Sequence, residues 1–263
     1  MISRPIRELG RQRELLGSLV MRELRGRYVG SSAGLFWAVL SPLAQLVILT
    51  TVFSAVLQIR LGGPAGVPFA VTLAWGLFPW LALQEGLSRA TTSLVEGGIL
   101  IRRMAFKPEI LVVQPVLAAV VLELVALLLL ILAMPLLGQG PASSVALCAI
   151  PLVLQVAFGV GIGWILAVLH VYFRDTAQLV TAVLQAWFYL TPIVYTLEVA
   201  PESLRGLLSL NPLCGIVEGF RAFAIGLPVS WGALAWSTGC AVAAVAVGAF
   251  AIERARSEIA DLV

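Results

Sequence analysis

Charge is what this sequence has least of. Only 12% of its 263 residues are Asp, Glu, Lys or Arg, 60% are hydrophobic, and the mean hydropathy is +1.00. So few charges cannot cover a water-exposed surface of this size, which excludes a soluble enzyme. Disorder is excluded by the same figures, because it requires low hydrophobicity. The three cysteines, Cys148, Cys214 and Cys240, are far apart and lie in or beside apolar runs. They form neither a metal spacing nor a disulfide framework. The only histidine, His170, has no cysteine or carboxylate cluster near it in sequence, so no metal site is expected. No Gly-x-x-x-x-Gly-Lys-Ser/Thr stretch occurs, so the chain is not expected to cradle ATP phosphates. Nor is there a serine–histidine pair or an intramembrane catalytic dyad. The expectation is a non-enzyme with no cofactor of its own.

What is present is a series of charge-free runs. An α-helix needs about 20 apolar residues to cross the hydrocarbon core. Six helices fit, at roughly 34–58, 68–88, 110–137, 144–172, 176–197 and 231–252. Two-residue alternation is absent, so a β-barrel does not compete. The fold class read here is an all-α polytopic membrane protein.

Basic residues set the expected orientation. Arg4, Arg7, Arg11, Arg13, Arg22, Arg25 and Arg27 precede the first span. Arg89, Arg102, Arg103 and Lys107 lie between spans two and three, Arg174 between four and five, and Arg254 and Arg256 after six. Only Arg60, Arg205 and Arg221 fall on the other side. The positive-inside rule then predicts both termini in the cytoplasm and a location in the inner (cytoplasmic) membrane. The basic start runs into a full-length anchor, not a short cleavable one. Ile6, Leu9, Leu16, Val20 and Leu24 recur at helical spacing among the arginines, which predicts an amphipathic helix on the anionic leaflet within residues 1–33. Residues 34–263 form the six-span domain.

Motifs in order along the chain carry a resemblance. Arg22-Glu23-Leu24-Arg25-Gly26-Arg27-Tyr28-Val29-Gly30-Ser31 leads into Leu35-Phe36-Trp37-Ala38-Val39-Leu40-Ser41-Pro42-Leu43. Gly76-Leu77-Phe78-Pro79-Trp80 follows, then Ile99-Leu100-Ile101-Arg102-Arg103-Met104-Ala105-Phe106-Lys107-Pro108-Glu109. Next come His170-Val171-Tyr172-Phe173-Arg174-Asp175, Phe188-Tyr189-Leu190-Thr191-Pro192, Asn211-Pro212-Leu213 and Glu218-Gly219-Phe220-Arg221. The set resembles the membrane subunits of ABC exporters that move polysaccharides such as O-antigen, teichoic acid and capsule. It departs at Phe106-Lys107-Pro108, where that family more often shows Phe-Pro-Arg.

The resemblance implies a permease half that pairs with a second copy to form a conduit for a lipid-linked polysaccharide. It implies a separate cytoplasmic ATPase subunit, in two copies, carrying ATP and Mg. It also implies a coupling loop at about 96–109, and re-entrant external helices within about 198–230 that close the outer mouth between spans five and six.

Residue chemistry adds candidates. Leu100, Ile101, Met104 and Phe106, set among Arg102, Arg103 and Lys107, offer apolar knobs with a basic rim, and Phe106 is the expected anchor in a partner cleft. The alternative is that the cations only hold the loop inside. In span five, Gln178, Thr181, Gln185, Tyr189, Pro192 and Thr196 recur at three- and four-residue steps. In span one, Trp37, Ser41 and Gln45 do the same. A polar stripe is costly against lipid, so it faces protein or water. Hydroxyls, amides and aromatic faces suit weak contacts with passing sugars. For any one residue, hydrogen bonding between helices is an equal alternative; the length of the span-five stripe favours the conduit. Trp75 and Trp80 are read as conduit or interface aromatics. Glu123 is either functional or a packing contact to a hydroxyl or amide. Outside, Pro212, Glu218 and Arg221 are the expected gate residues, with an ordinary loop as the alternative. The competing functions are a permease for a lipid or drug and, from another class, a self-sufficient channel or ion-coupled carrier.

Overall fold

The computed structural model describes residues 3–28, 34, 36–56, 67–104, 106–196 and 201–262. Every element among them is helical. In chain order they are α1 (Ser3–Arg11), α2 (Arg13–Tyr28), α3 (Phe36–Thr50), α4 (Phe69–Glu96), α5 (Gly98–Met104) and α6 (Pro108–Ala133), then α7 (Ala149–Tyr172), α8 (Thr176–Leu190), α9 (Glu202–Ser209), α10 (Pro212–Ile225) and α11 (Trp231–Leu262). A π-turn, Thr51–Val56, extends α3, and 3-10 turns extend α6 to Leu137 and begin α7 at Val145.

Among the described residues, four stretches are long and apolar enough to cross a membrane: Phe36–Ser54, Pro108–Leu137, Val145–Tyr172 and Trp231–Ile259. They match expected spans one, three, four and six. The bent pair α9 and α10, folded by 94°, passes only when taken together. The other two expected spans differ for physical reasons. α4 has the length, but Gln84, Glu85, Arg89 and Glu96 make its second half polar. α8 stops after 15 residues, about 22 Å of rise. Thr191 sits at φ −101° and ψ 136°, as expected for a residue before proline. The carbonyl of Leu190 then accepts from Asn211 Nδ2 at 3.1 Å, and Asn211 also donates to Thr191 Oγ1 at 2.9 Å.

Two cores hold the bundle. One gathers Trp75, Leu77, Phe78 and Trp80 of α4 with Phe158, Phe188 and Phe220. Both tryptophans are buried, so neither lines a surface. The other core lies at the end that carries both termini. Leu16, Leu19 and Val20 of α2 pack there with Ile110, Trp164, Ile252 and Ile259. The apolar stripe of the N-terminal helices is thus turned onto the chain's own bundle, with Leu9 and Leu24 half-buried beside it. The side chain of Ile6 lies outside the described residues.

α7 is the hub. Gly159 and Gly163 face α4 and α6, where Leu83, Val116, Ala90 and Val112 crowd any added Cβ. Gly161, between them, meets the backbone of α11: a Cβ there would overlap the Ala244 carbonyl, and Gly161 O fills the same space at Gly248. Backbone cannot move aside as a side chain tip can. Gly161→Ala is therefore expected to cost about 3 kcal/mol, the upper end for overpacking, and to lower the melting midpoint in detergent by several degrees. Gly10→Ala, where a Cβ meets nothing, is the control. Equal midpoints for the two would contradict this packing.

Candidate functional site

The span-one stripe lines a polar cleft. Trp37, Ser41 and Gln45 project from α3 toward Gln84, Glu85, Ser88 and Arg89 on α4, around about 550 Å³. The α4 side is fixed in place. Trp80 Nε1 donates to Gln84 Oε1 at 2.9 Å and Ser88 Oγ to the Gln84 carbonyl at 2.8 Å. Glu85 accepts from Arg27 Nη1 at 2.9 Å and from Arg89 Nε at 3.3 Å. Glu85 is therefore part of a network with Arg27, Arg89 and Glu23.

α8 buries one stripe and exposes most of the rest of its surface. Val180, Leu184 and Phe188 are buried. The ring of Phe188 meets the edge of Trp80 at 5.8 Å, and Trp187 meets it at 6.5 Å. About 100° around the helix from the buried stripe, Gln178, Thr181, Gln185 and Tyr189 are exposed, and further round so are Leu179 and Val183. Thr196 is not part of the polar stripe, because the helix ends at Leu190 and Thr196 lies half-buried in the turn beyond. Pro192 is buried in the same turn. α4 lies between the two polar surfaces: Trp80 packs on α8 while Leu81, Gln84 and Ser88 face α3.

The expected coupling loop forms α5, but its apolar residues point differently from the reading above. Ile101 is buried, and Leu100 and Phe106 are half-buried against the terminal-end core. Phe106 is thus a packing residue of this chain, not a free anchor. Ile99 takes the exposed position, at 70%. Arg102 is exposed, while Lys107 pairs with Glu8 of α1. The Lys107 ammonium, bonded to the Glu8 carboxyl, holds that carboxyl below its ordinary range. The side chains of Arg103 and Met104 lie outside the described residues.

Between α8 and α11, Pro212 opens α10 at its first position and Asn211 caps it by accepting from Leu213 N at 3.0 Å. Glu218 is half-buried. Arg221 is 2% exposed, and its guanidinium donates to three backbone carbonyls. Nε reaches Thr72 O at 3.0 Å, Nη1 reaches Pro192 O at 2.7 Å, and Nη2 bonds Ile193 O. One side chain thus ties the start of α4 and the turn after α8 to α10. Arg221 is among the expected gate residues, but no sequence pattern announces these carbonyl partners, which lie far from it in the chain.

Of the two readings of Glu123, the structure has the packing contact to an amide, whose identity the sequence reading leaves open. Glu123 accepts from Gln155 Nε2 at 2.6 Å, and the same amide reaches Pro79 O at 3.2 Å. The signal was there: Gln155 is the only amide side chain in the charge-free run Ser144 to Phe173, and Glu123 the only charge in its own. At the terminal end, Glu109 is fully buried and pairs with Arg256 at 2.8 Å; Arg256 also pairs with Glu253, which takes Arg4 at 3.0 Å. Among the described residues no His, Cys, Asp or Glu cluster could hold a metal.

Comparison with known proteins follows the same lines. The family described as ABC-2 type transporter matches residues 14–250. An "O-antigen export system permease protein RfbA" of Myxococcus xanthus is 32% identical over 224 residues, 83% of each chain. A protein of the same name from Klebsiella pneumoniae is 26% identical over 215 residues, 81% of each. A "Polysialic acid transport protein KpsM" of Escherichia coli is 23% identical over 208 residues, 79% of this chain and 80% of that one.

Proposed function

The chain belongs to the ABC-2 type transporter family, and from that premise we propose that it is the membrane half of an ATP-driven exporter of a lipid-linked polysaccharide of the O-antigen or capsule kind. The observation that carries this reading is the 32% identity to an O-antigen export permease across 83% of both chains. The membrane spans and the helical fold agree with it.

In this proposal the chain crosses the inner membrane six times, with α4 and α8 as the two remaining spans and the terminal end in the cytoplasm. α1 and α2 lie at the cytoplasmic interface, their arginines toward anionic headgroups. Two copies face each other and enclose a wet passage between their polar faces: Trp37, Ser41 and Gln45 on α3, and Gln178, Thr181, Gln185 and Tyr189 on α8. Support comes from the exposure of both faces, since amides and hydroxyls are costly against lipid and cheap against water. Sugar hydroxyls exchange hydrogen bonds with such groups, and Trp37 and Tyr189 cover the apolar faces of sugar rings. Many weak contacts suit a moving polymer, as they suit ions in a pore.

Energy comes from outside the chain. A cytoplasmic ATPase subunit, holding ATP and Mg, docks on α5, where exposed Ile99 and Arg102 are the contacts, with Arg103 and Met104 beside them. α9 and α10 close the outer mouth, and Arg221 joins their movement to the ends of α4 and α8.

Deletion of the gene followed by membrane fractionation tests the reading. Polymer is expected to accumulate on the inner leaflet and to disappear from the cell surface. Normal surface polymer in the deletion strain would refute the assignment.

A further inference from the structure

Three cavities lie side by side, each neighbouring pair sharing one lining residue, and their chemistry changes in one direction. The first, of about 330 Å³, is walled by apolar side chains alone, among them Leu43 and Leu46 of α3, Phe78 of α4, and Leu129 and Leu130 of α6. The second is the polar cleft of about 550 Å³ described above; Pro42 of α3 lines both. The third, of about 450 Å³, shares Arg89 with the second and adds Arg22, Arg27, Glu23 and Gln114. It carries three guanidiniums against one carboxylate. Arg27 is committed to Glu85 and Glu23, with its side chain 3% exposed. Arg89 is shared by the same two carboxylates but is half-exposed. Arg22 is exposed and has no partner among the described residues. α3 roofs the first two cavities and buries none of its own residues in the chain.

An apolar groove joined to a basic basin through a polar neck has the shape of one kind of molecule. We propose that this run of cavities seats a long-chain lipid phosphate, its anionic head at Arg22 and Arg89 and its hydrocarbon chain beneath α3. The inference rests on the export reading and adds where the lipid part of the substrate is held, next to the α3 face that the same reading gives to the sugars, since Trp37, Ser41 and Gln45 line the middle cavity. The two ends do different work. A hydrocarbon chain gains little by leaving lipid for an equally apolar groove. The groove therefore sets register and chain length, and the head supplies selectivity through charge-assisted hydrogen bonds. Arg22 supplies the free cation, and the Gln114 amide beside it donates to Glu23 at 3.4 Å.

The test uses the whole transporter, permease with its ATPase subunit, in nanodiscs. The probe is a long-chain isoprenyl phosphate bearing a diazirine at mid-chain, and cross-links are mapped by mass spectrometry. Labelling is expected to concentrate on the stretches Val39–Leu46 and Ala126–Ala133. Neither inorganic phosphate nor the neutral isoprenyl alcohol should displace it, whereas unlabelled isoprenyl phosphate should. Arg22→Gln, an exposed and unpaired position that the fold does not need, is expected to cut labelling by about fivefold, the worth of one basic residue against an anionic head. Ala126→Trp, which fills the groove, should move the label out of it while leaving the helix content unchanged. Labelling spread evenly over the lipid-facing side of α11, unaltered labelling in Arg22→Gln, or equal displacement by the alcohol would each overturn the site. If the groove stays unlabelled while the deletion strain still loses its surface polymer, this inference fails and the export reading stands.

Discussion

Ile99→Asp is expected to leave the permease folded in the membrane and to weaken its hold on the ATPase subunit by one to two orders of magnitude, about 2 kcal/mol. The reason lies in how α5 divides its side chains. Ile101 is buried and Leu100 half-buried, but Ile99 is 70% exposed and gives nothing to the fold of its own chain. An aspartate there costs the permease nothing and puts an unpaired charge where a partner must bury an apolar group. Phe106→Asp has the opposite expected outcome. Its ring is half-buried among the residues that hold α1, α2 and α6 together, so the charge disrupts the chain itself and lowers the yield of folded protein. Co-purification with the ATPase and stimulated ATP hydrolysis separate the two cases. Full stimulation in Ile99→Asp would remove α5 as the docking element.

Gln155→Leu should destabilise the permease by about 2 kcal/mol or more, the cost of leaving a buried acidic group without its donor. Glu123 is buried on α6, and Gln155 reaches it from α7 at 2.6 Å. The amide also takes the Pro79 carbonyl at 3.2 Å, so one side chain links α4, α6 and α7 at Pro79, inside α4. Removing the amide leaves the carboxyl in an apolar interior. Removing both groups leaves only shape to repair, so Glu123→Leu with Gln155→Leu is expected to recover most of the loss. Thermal unfolding of the three variants in detergent forms the cycle. A single Gln155→Leu as stable as the parent, or a double variant worse than the sum of the singles, would contradict the pairing.

Four spans were legible because lipid forces a long apolar run to be helical, and charge-free length then suffices. The end of α8 was not legible. Pro42, Pro79 and Pro115 sit inside α3, α4 and α6, so proline alone does not predict the break at Pro192. What decides it is Asn211, distant in sequence, occupying the carbonyl that the break frees. α11 runs to Leu262, beyond the expected end at 252, because Ala255 and Ile259 continue its buried face and Arg256 finds Glu109. Counting arginines for topology hid that Arg27, Arg89 and Arg256 are bonded to carboxylates on other helices. The polar face of α8 was legible as far as Tyr189, since a helical stripe depends on spacing alone. That Phe106 packs on the chain's own core while Ile99 is exposed was not legible, because composition does not say which apolar residue the core takes. Ile99 lies about 200° around the helix from buried Ile101, and that phase was the usable signal.

Thiol labelling along α8 puts the wet passage to its most direct test. In a background lacking Cys148, Cys214 and Cys240, single cysteines replace Gln178, Thr181, Gln185 and Tyr189 on one face and Val180 and Leu184 on the other. The transporter is reconstituted with its ATPase and treated with a membrane-impermeant thiol reagent, without nucleotide, with ATP, and with a trapped post-hydrolysis state. The first four positions are expected to react in at least one state, with polymer protecting them, while Val180→Cys and Leu184→Cys stay protected throughout. If Gln185→Cys and Tyr189→Cys are sealed in every state, α8 lines no aqueous path.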